Sequence, residues 1–212
     1  MERATLAGVL GVAVLAALAV YSSGSKDAAA PPLRAGWQRI DSPEAGLSIA
    51  VPKGWTQIDL EPGQIAESLR KTKISGVAAA TIERSAAALA GKDALYLVDT
   101  MGTSSGYVGN ISGLCAPNNG VPVDQMKNAA HSGLARMGAK EIQSSRLTIG
   151  GMPAVKASYT AKAAIAARAV QFRILTPDDK ICGVTFGMSP GKEIKDLDDI
   201  ADTIRPLPER AG

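Results

Sequence analysis

The sequence has 212 residues, enough for one globular domain with a substantial hydrophobic core. Its 23 basic and 20 acidic residues give a net charge of +3 and are interleaved along the chain, which argues against nucleic-acid binding, because proteins of that class concentrate positive charge on one face. Aromatic residues make up only 4%, so stacking against bases or sugars is disfavoured and the core must depend on aliphatic side chains.

An uncharged apolar segment, Thr5–Tyr21, follows a short charged head, and a polar stretch rich in small residues comes after it. This order is typical of a secretory leader. The segment is near the lower length limit of a membrane-spanning helix, about 17–25 residues, and Pro31 is expected to hinder cleavage behind Ala28–Ala30. We therefore expect a hydrophobic helix at residues 1–21 that acts as a signal anchor, with a cleaved signal peptide as the alternative.

Either fate of this segment places the rest of the chain outside the cytoplasm. The protein is single-pass in the cell membrane if the segment stays, and secreted if it is removed. No cysteine follows the apolar segment, which excludes lipid attachment there. Residues 22–36, rich in Ser, Gly and Ala with two prolines, are predicted to be a flexible linker. Residues 37–208 are predicted to form a single globular domain.

The first half of this domain has the pattern of short strands around two helices. Leu47, Ile49 and Val51 alternate with smaller residues, which indicates a strand with one buried face that Pro52 ends. Predicted strands lie at 37–41, 47–51, 56–60 and 94–98, predicted helices at 63–71 and 75–91, and a glycine-rich strand or irregular stretch at 105–114.

The second half predicts a helix, two hairpins and a closing helix. Asp124 can cap a helix that Gly138 ends, and Gly150–Gly151 predicts the tight turn of a hairpin. The next hairpin turns at 176–180, and a last helix starts at Ser189–Pro190. The predicted inward side chains of the second hairpin are Val170, Phe172, Ile174, Cys182, Val184 and Phe186. Together the elements predict an α+β fold, an antiparallel sheet of about six strands flanked by helices.

Three stretches carry a resemblance to a known fold family. They are SPEAGLSIAVPKGW at 42–55, the hairpin IGGMPAVKASYTA at 149–161 and the closing DLDDIADTIRP at 196–206. With the order of elements between them, they resemble the PsbP-like fold, and within it the LpqN-type envelope lipoproteins of actinobacteria. The resemblance implies an α/β/α sandwich without catalytic residues, linked to the cell envelope and to lipid-export machinery. The chain lacks the lipidated cysteine of that family.

The two cysteines, Cys115 and Cys182, have no CxxC spacing. With His131, the one histidine, they cannot complete a four-ligand structural zinc site without carboxylates. In an oxidising compartment they are candidates for a disulfide. The alternative is a pair of buried free thiols, which pack like small hydrophobic groups.

Few residues of the chain suit catalysis. His131 lies among polar neighbours on a predicted helix, and Ser104 in GTSSG lacks the strand–turn–helix context of a nucleophile. Asp178 falls in a hairpin turn, where Asp favours the turn geometry. We therefore expect a non-enzymatic envelope protein without cofactor or metal, which binds a membrane partner, such as an envelope transport protein, or a lipidic ligand. The alternative is a cell-wall hydrolase that uses Ser104 or Asp178.

Overall fold

The computed structural model describes most of the predicted domain. The described residues are 32–101, 108–161, 168–188 and 193–208. The apolar segment Thr5–Tyr21, Ser104 and the predicted helix start Ser189–Pro190 lie outside them. Within these ranges no helix is both long and apolar enough to cross a membrane. The chain from Leu33 onward forms one compact unit.

Ten strands and four helices make up the described part of this unit. The strands are β1 (Trp37–Ser42), β2 (Leu47–Pro52), β3 (Trp55–Gln57), β4 (Leu95–Asp99), β5 (Asn110–Pro117), β6 (Lys140–Ile149), β7 (Met152–Thr160), β8 (Arg168–Leu175), β9 (Lys180–Met188) and β10 (Arg205–Pro206). The helices are α1 (Ile65–Lys71), α2 (Gly76–Ala87), α3 (Met126–Arg136) and α4 (Leu197–Ala201). All strand pairs are antiparallel. They form a seven-stranded sheet in the order β3-β4-β5-β9-β8-β7-β6 and a three-stranded sheet in the order β1-β2-β10.

One face of the seven-stranded sheet, the sandwich face, packs against the small sheet and α4. Successive side chains of a strand point to opposite sides, so every second residue reaches this face. Its buried members are Leu95, Leu97, Ile111, Ala154, Val170, Phe172, Ile174, Cys182, Val184 and Phe186. They form one cluster with apolar side chains of β2 and with Ile200 and Ile204. This cluster is the main hydrophobic core of the domain.

The opposite face, the helix face, is covered by helices at two separate places. Over β4, Ile82 of α2 belongs to the same buried cluster as Tyr96 and Val98. Over β7, Ala130 of α3 packs with Val155. The central strands β5, β9 and β8 lie between β4 and β7 in the sheet, so their helix face lies between the two helical coverings.

Both predicted hairpins are confirmed. Gly150 and Gly151 have φ values of 57° and 79°, the left-handed backbone that a two-residue hairpin turn requires and glycine adopts without strain. The second hairpin joins β8 and β9, where Val170 lies opposite Phe186 and Phe172 lies opposite Val184.

The α+β fold with antiparallel sheets is confirmed, whereas the expectation of one sheet with about six strands is wrong. The larger sheet has seven strands and β1, β2 and β10 form a sheet of their own. The main omission is the first half of β6, which begins at Lys140 rather than near Arg146. This strand is at the edge of the sheet and most of its residues are exposed, so its sequence shows little apolar alternation.

The closing helix differs from the prediction in the described residues. Asp196 has a left-handed backbone with φ of 60°, which an α-helix cannot continue through, and α4 covers only Leu197–Ala201. Behind it, the Thr203 hydroxyl accepts a hydrogen bond from the Ala50 N–H at 2.8 Å. This hydrogen bond joins the segment to β2. The sandwich face is covered mostly by the three-stranded sheet, together with the short helix α4, whereas the resemblance implies a helical layer there.

Candidate functional site

A disulfide joins the two central strands β5 and β9. Cys115 and Cys182 lie directly opposite each other in the strand register, and their sulfur atoms are bonded. Of the two states left open by the sequence, free thiols and a bridge, the structure has the bridge. Cys182 is buried in the main core, and Cys115 is partly buried beside it. The bridge therefore lies at the edge of the main core, with one sulfur-bearing residue inside the core and the other partly exposed.

The turn between β8 and β9 is held next to this bridge by hydrogen bonds. The Thr176 hydroxyl accepts from the Lys180 N–H at 3.0 Å, and the Thr176 N–H donates to the Lys180 carbonyl at 2.9 Å. The Asn118 amide nitrogen donates to the Asp179 carboxylate at 2.8 Å. Hydrogen bonds within the turn, and one from the segment that follows β5, thus hold the turn in place.

A groove of about 390 Å³ opens beside the bridge, and we call it the disulfide groove. It is lined by four prolines, by other small or apolar residues, and by a few polar groups. The lining residues are Pro43, Glu44, Ala45, Gly46, Cys115, Ala116, Pro117, Thr176, Asp178, Lys180, Cys182, Pro206, Leu207 and Pro208. Three residues predicted from the sequence as site candidates, Cys115, Cys182 and Asp178, come together here.

The walls of the disulfide groove are fixed by backbone contacts between distant segments. The Cys115 N–H donates to the Ala45 carbonyl at 2.9 Å, and the Leu207 N–H donates to the Gly46 carbonyl at 2.8 Å. Gly46 has φ of 68°, and a Cβ there would lie 3.3 Å from the Cβ of Cys115. Position 46 therefore favours glycine for both its backbone and its space.

Two charged groups of the disulfide groove form an ion pair. The Lys180 ammonium lies 3.2 Å from the Asp178 carboxylate. Hydrogen bonding from Thr176, followed by that from Lys180, lowers the pKa of Asp178 below its ordinary value. A carboxyl with a lowered pKa stays ionised at neutral pH, so Asp178 is unsuited to act as a general acid, and its contacts are those of a turn residue.

The other candidates for catalysis are not part of this groove. His131 is exposed on α3, and Ser104 lies outside the described residues. In the described ranges no three His, Cys, Asp or Glu residues are grouped as metal ligands. On α4, Asp199 forms an ion pair of 2.7 Å with Arg34, and both side chains are exposed.

Sequence reasoning missed most of the residues that line the disulfide groove. Nothing in the spacing of Pro43, Pro117, Pro206 and Pro208 along the sequence shows that they meet. A second, larger groove of about 690 Å³ was also missed. Acidic and basic residues from the β3–α1 connection, from α1 and from the residues before β4 line it, among them Asp59, Glu61, Lys71, Lys92 and Asp93.

The comparisons with known proteins give similarities of structure at low identity. No protein-family model and no curated protein matches the chain. The solution structure of the cyanobacterial PsbP protein CyanoP from Synechocystis sp. PCC 6803 is similar over 84% of this chain and 96% of its own, with 14% identity and a TM-score of 0.48. A crystal structure from Bacteroides thetaiotaomicron VPI-5482 is similar over 81% of this chain and 49% of its own, with 11% identity and a TM-score of 0.45.

A third similar structure is the protein PA94 from Pseudomonas aeruginosa. The match covers 73% of this chain and 83% of that one, with 11% identity and a TM-score of 0.36. The LpqN-type family stays a prediction.

Proposed function

We propose that this chain is a non-enzymatic binding or scaffold module of the cell envelope, held outside the cytoplasm by Thr5–Tyr21. The observation that carries the proposal is the Cys115–Cys182 disulfide between two central strands. Disulfides persist in oxidising compartments outside the cytoplasm and are rare inside it. The leader-like N-terminus supports the same location from an independent part of the sequence.

The disulfide groove supports the binding role. Its volume of about 390 Å³ falls in the range of ligand sites, about 300–1,000 Å³. Its prolines and Leu207 offer apolar contacts, while Asp178 and Lys180 add polar groups beside them. This chemistry suits an apolar group with a polar end, carried by a lipidic ligand or by a membrane partner such as an envelope transport protein.

The proposed location is tested with a fusion reporter after Gly212 and with the mass of the mature protein from isolated membranes. We expect reporter activity outside the cytoplasm. An intact N-terminus in the mass spectrum identifies an anchor, and a start near Pro31 identifies a secreted form. A reporter active only in the cytosol contradicts the proposal.

The binding role is tested by photo-crosslinking in intact cells. A photoreactive amino acid replaces Ala116, an exposed residue of the disulfide groove, and in a matched control it replaces Ala87, an exposed residue of α2. We expect a discrete lipid or membrane-protein adduct at position 116 that position 87 does not form. Equal labelling at both positions contradicts a specific groove. Turnover of esters, peptides or glycans that Asp178→Ala abolishes would instead support the hydrolase.

A further inference from the structure

Arg173 lies on the helix face of β8, between the two helical coverings. Its neighbours along the strand, Phe172 and Ile174, point into the core on the sandwich face, so Arg173 points the other way. Its Nε donates a hydrogen bond to the Gln171 side-chain oxygen at 2.8 Å, and the Gln171 amide nitrogen donates to the Thr185 hydroxyl at 3.1 Å. The guanidinium is therefore held in position by a row of polar side chains across β8 and β9.

This guanidinium is half-buried and has no carboxylate partner among the described residues. Burial lowers the pKa of Arg173, and burial also raises the pKa of the nearby Tyr159, which therefore remains a neutral phenol. A terminal nitrogen of Arg173 lies 3.4 Å from the place that a Cβ on Gly133 of α3 would occupy. A cation is thus partly buried against α3 with no carboxylate partner in the described ranges, and this burial costs free energy.

Open space lies beside this guanidinium on the same face. Gly183 of β9 is directly opposite Arg173 in the strand register, and Leu114 of β5 is opposite Gly183 on the other side. A Cβ built on Gly183 would meet no atom within 4 Å. On the sandwich face, by contrast, a Cβ on Gly113 would lie 3.2 Å from Val184. The position next to the cation is therefore unfilled, whereas the core is closely packed.

We propose that this space, the Arg173 cleft (Tyr159, Gln171, Arg173, Gly183 and Thr185), binds a singly charged oxyanion, either a carboxylate or a phosphodiester group of a ligand. The two terminal nitrogens of a guanidinium match the paired oxygens of both groups, with hydrogen bonds that charge strengthens. The hydroxyl groups of Tyr159 and Thr185 lie close enough to the guanidinium network to add polar contacts. One cation neutralises one negative charge, which favours a monoanion over a phosphate monoester.

The cleft lies on the opposite face of the sheet from the core around Cys182, so it is separate from the disulfide groove. Its test is independent of the proposed location and of the ligand of that groove.

The test is a titration of the full chain in detergent with propionate and, separately, with dimethyl phosphate. Ionic strength is kept constant with chloride, and NMR chemical shifts of the Arg173 side chain report binding. We expect saturable shifts with at least one of the two anions. Arg173→Gln should weaken that binding by roughly tenfold or more, the loss expected for hydrogen bonds to a charged group, measured from backbone amide shifts of residues in the cleft.

Two further variants distinguish a ligand-binding role of Arg173 from a purely structural role. Gly183→Val keeps the guanidinium and fills the open space with a residue that suits a strand, so it should weaken binding while circular dichroism and the melting temperature show a folded domain. Arg168→Gln removes an exposed arginine of the same strand, which lies 3.7 Å from Glu193, and should bind like the wild type.

The outcomes decide both the site and the chemical source of the ligand. Binding of propionate alone identifies a carboxylate ligand, binding of dimethyl phosphate alone identifies a phosphodiester, and binding of both supports the shared site. The proposal is overturned if neither anion binds, or if Arg173→Gln binds as tightly as Arg168→Gln.

Discussion

The two faces of the seven-stranded sheet differ in the polarity and packing of the side chains that the same strands present. In β8, Val170, Phe172 and Ile174 enter a closely packed core on the sandwich face, while Gln171 and Arg173 form a half-buried polar row on the helix face. The sandwich face is covered by a second sheet and α4, whereas the helix face is covered at two separate places. In β8, closely packed apolar side chains are therefore concentrated on the sandwich face, and half-buried polar side chains lie on the helix face.

The sharpest test of this comparison is a matched pair of truncations on neighbouring residues. Phe172 is buried and packs edge-to-face on Phe186 with ring centres 5.6 Å apart. Phe172→Ala should lower the free energy of unfolding by about 3–5 kcal/mol, because it leaves a cavity in the core. Gln171→Ala on the other face should cost only about 1 kcal/mol. Urea unfolding measures both, and equal losses would contradict the division between the faces.

Loss of the disulfide should give the next largest effect. The bridge closes a separation of 67 residues, and its removal frees the unfolded chain, so Cys115→Ala with Cys182→Ala should lower the free energy of unfolding by about 2–4 kcal/mol. Wild-type protein in the presence of a reductant is the matched comparison and should lose a similar amount. A domain whose urea midpoint is insensitive to reductant would show that the bridge contributes little to the fold.

Removal of the cation on the helix face should not destabilise the domain. Burial lowers the pKa of Arg173, and no carboxylate in the described part of the chain offsets this effect. Arg173→Met should therefore leave the free energy of unfolding unchanged or raise it by up to about 1 kcal/mol. Arg168→Met in the same strand serves as the control. A clear loss of stability in Arg173→Met alone would indicate a structural role and weaken the comparison between the faces.

The smallest effect is expected at the turn that joins β8 and β9. The lowered pKa of Asp178, caused first by Thr176, means that the folded state favours the ionised carboxylate. Its stabilisation is complete above the ordinary carboxyl pKa, about 3.9, and disappears as the pH falls through the lowered value. The unfolding free energies of wild type and Asp178→Asn should therefore differ slightly at pH 7, by less than about 1 kcal/mol, and converge in acid.

Much of the strand pattern was accessible from the sequence because alternation is a local property. The spacing of Val170, Phe172 and Ile174 defines an inward face whatever lies against it, and Gly150–Gly151 defines a turn by backbone conformation. The edge strand β6 was underestimated because most of its residues are exposed, which weakens the alternation that marks a half-buried strand. The closing helix was overestimated because its apolar spacing does not reveal the left-handed backbone at Asp196.

The candidate sites were accessible only in part. Cys115 and Cys182 could be named as partners because they are the two cysteines of the chain, but their direct opposition depends on the register of β5 and β9. The disulfide groove joins segments near Pro43, Pro117, Asp178 and Pro206, which are far apart in the sequence. No sequence pattern indicated a role for Arg173, because an arginine at an outward strand position is ordinary. Only the surroundings of Arg173 in the described residues show that no carboxylate there is paired with it.

By itself, the amino-acid sequence determined the strand-rich character of the domain, the inward side of its hairpins and the presence of an apolar N-terminal segment. These features follow from composition and from repeats of two or about 3.6 residues, which act over short distances along the chain. Only the tertiary structure decided that a second sheet covers one face, that the cysteines meet, and that open space adjoins Arg173. Those properties depend on which segments, distant in the sequence, pack against each other and exclude water. Local sequence patterns do not contain that information.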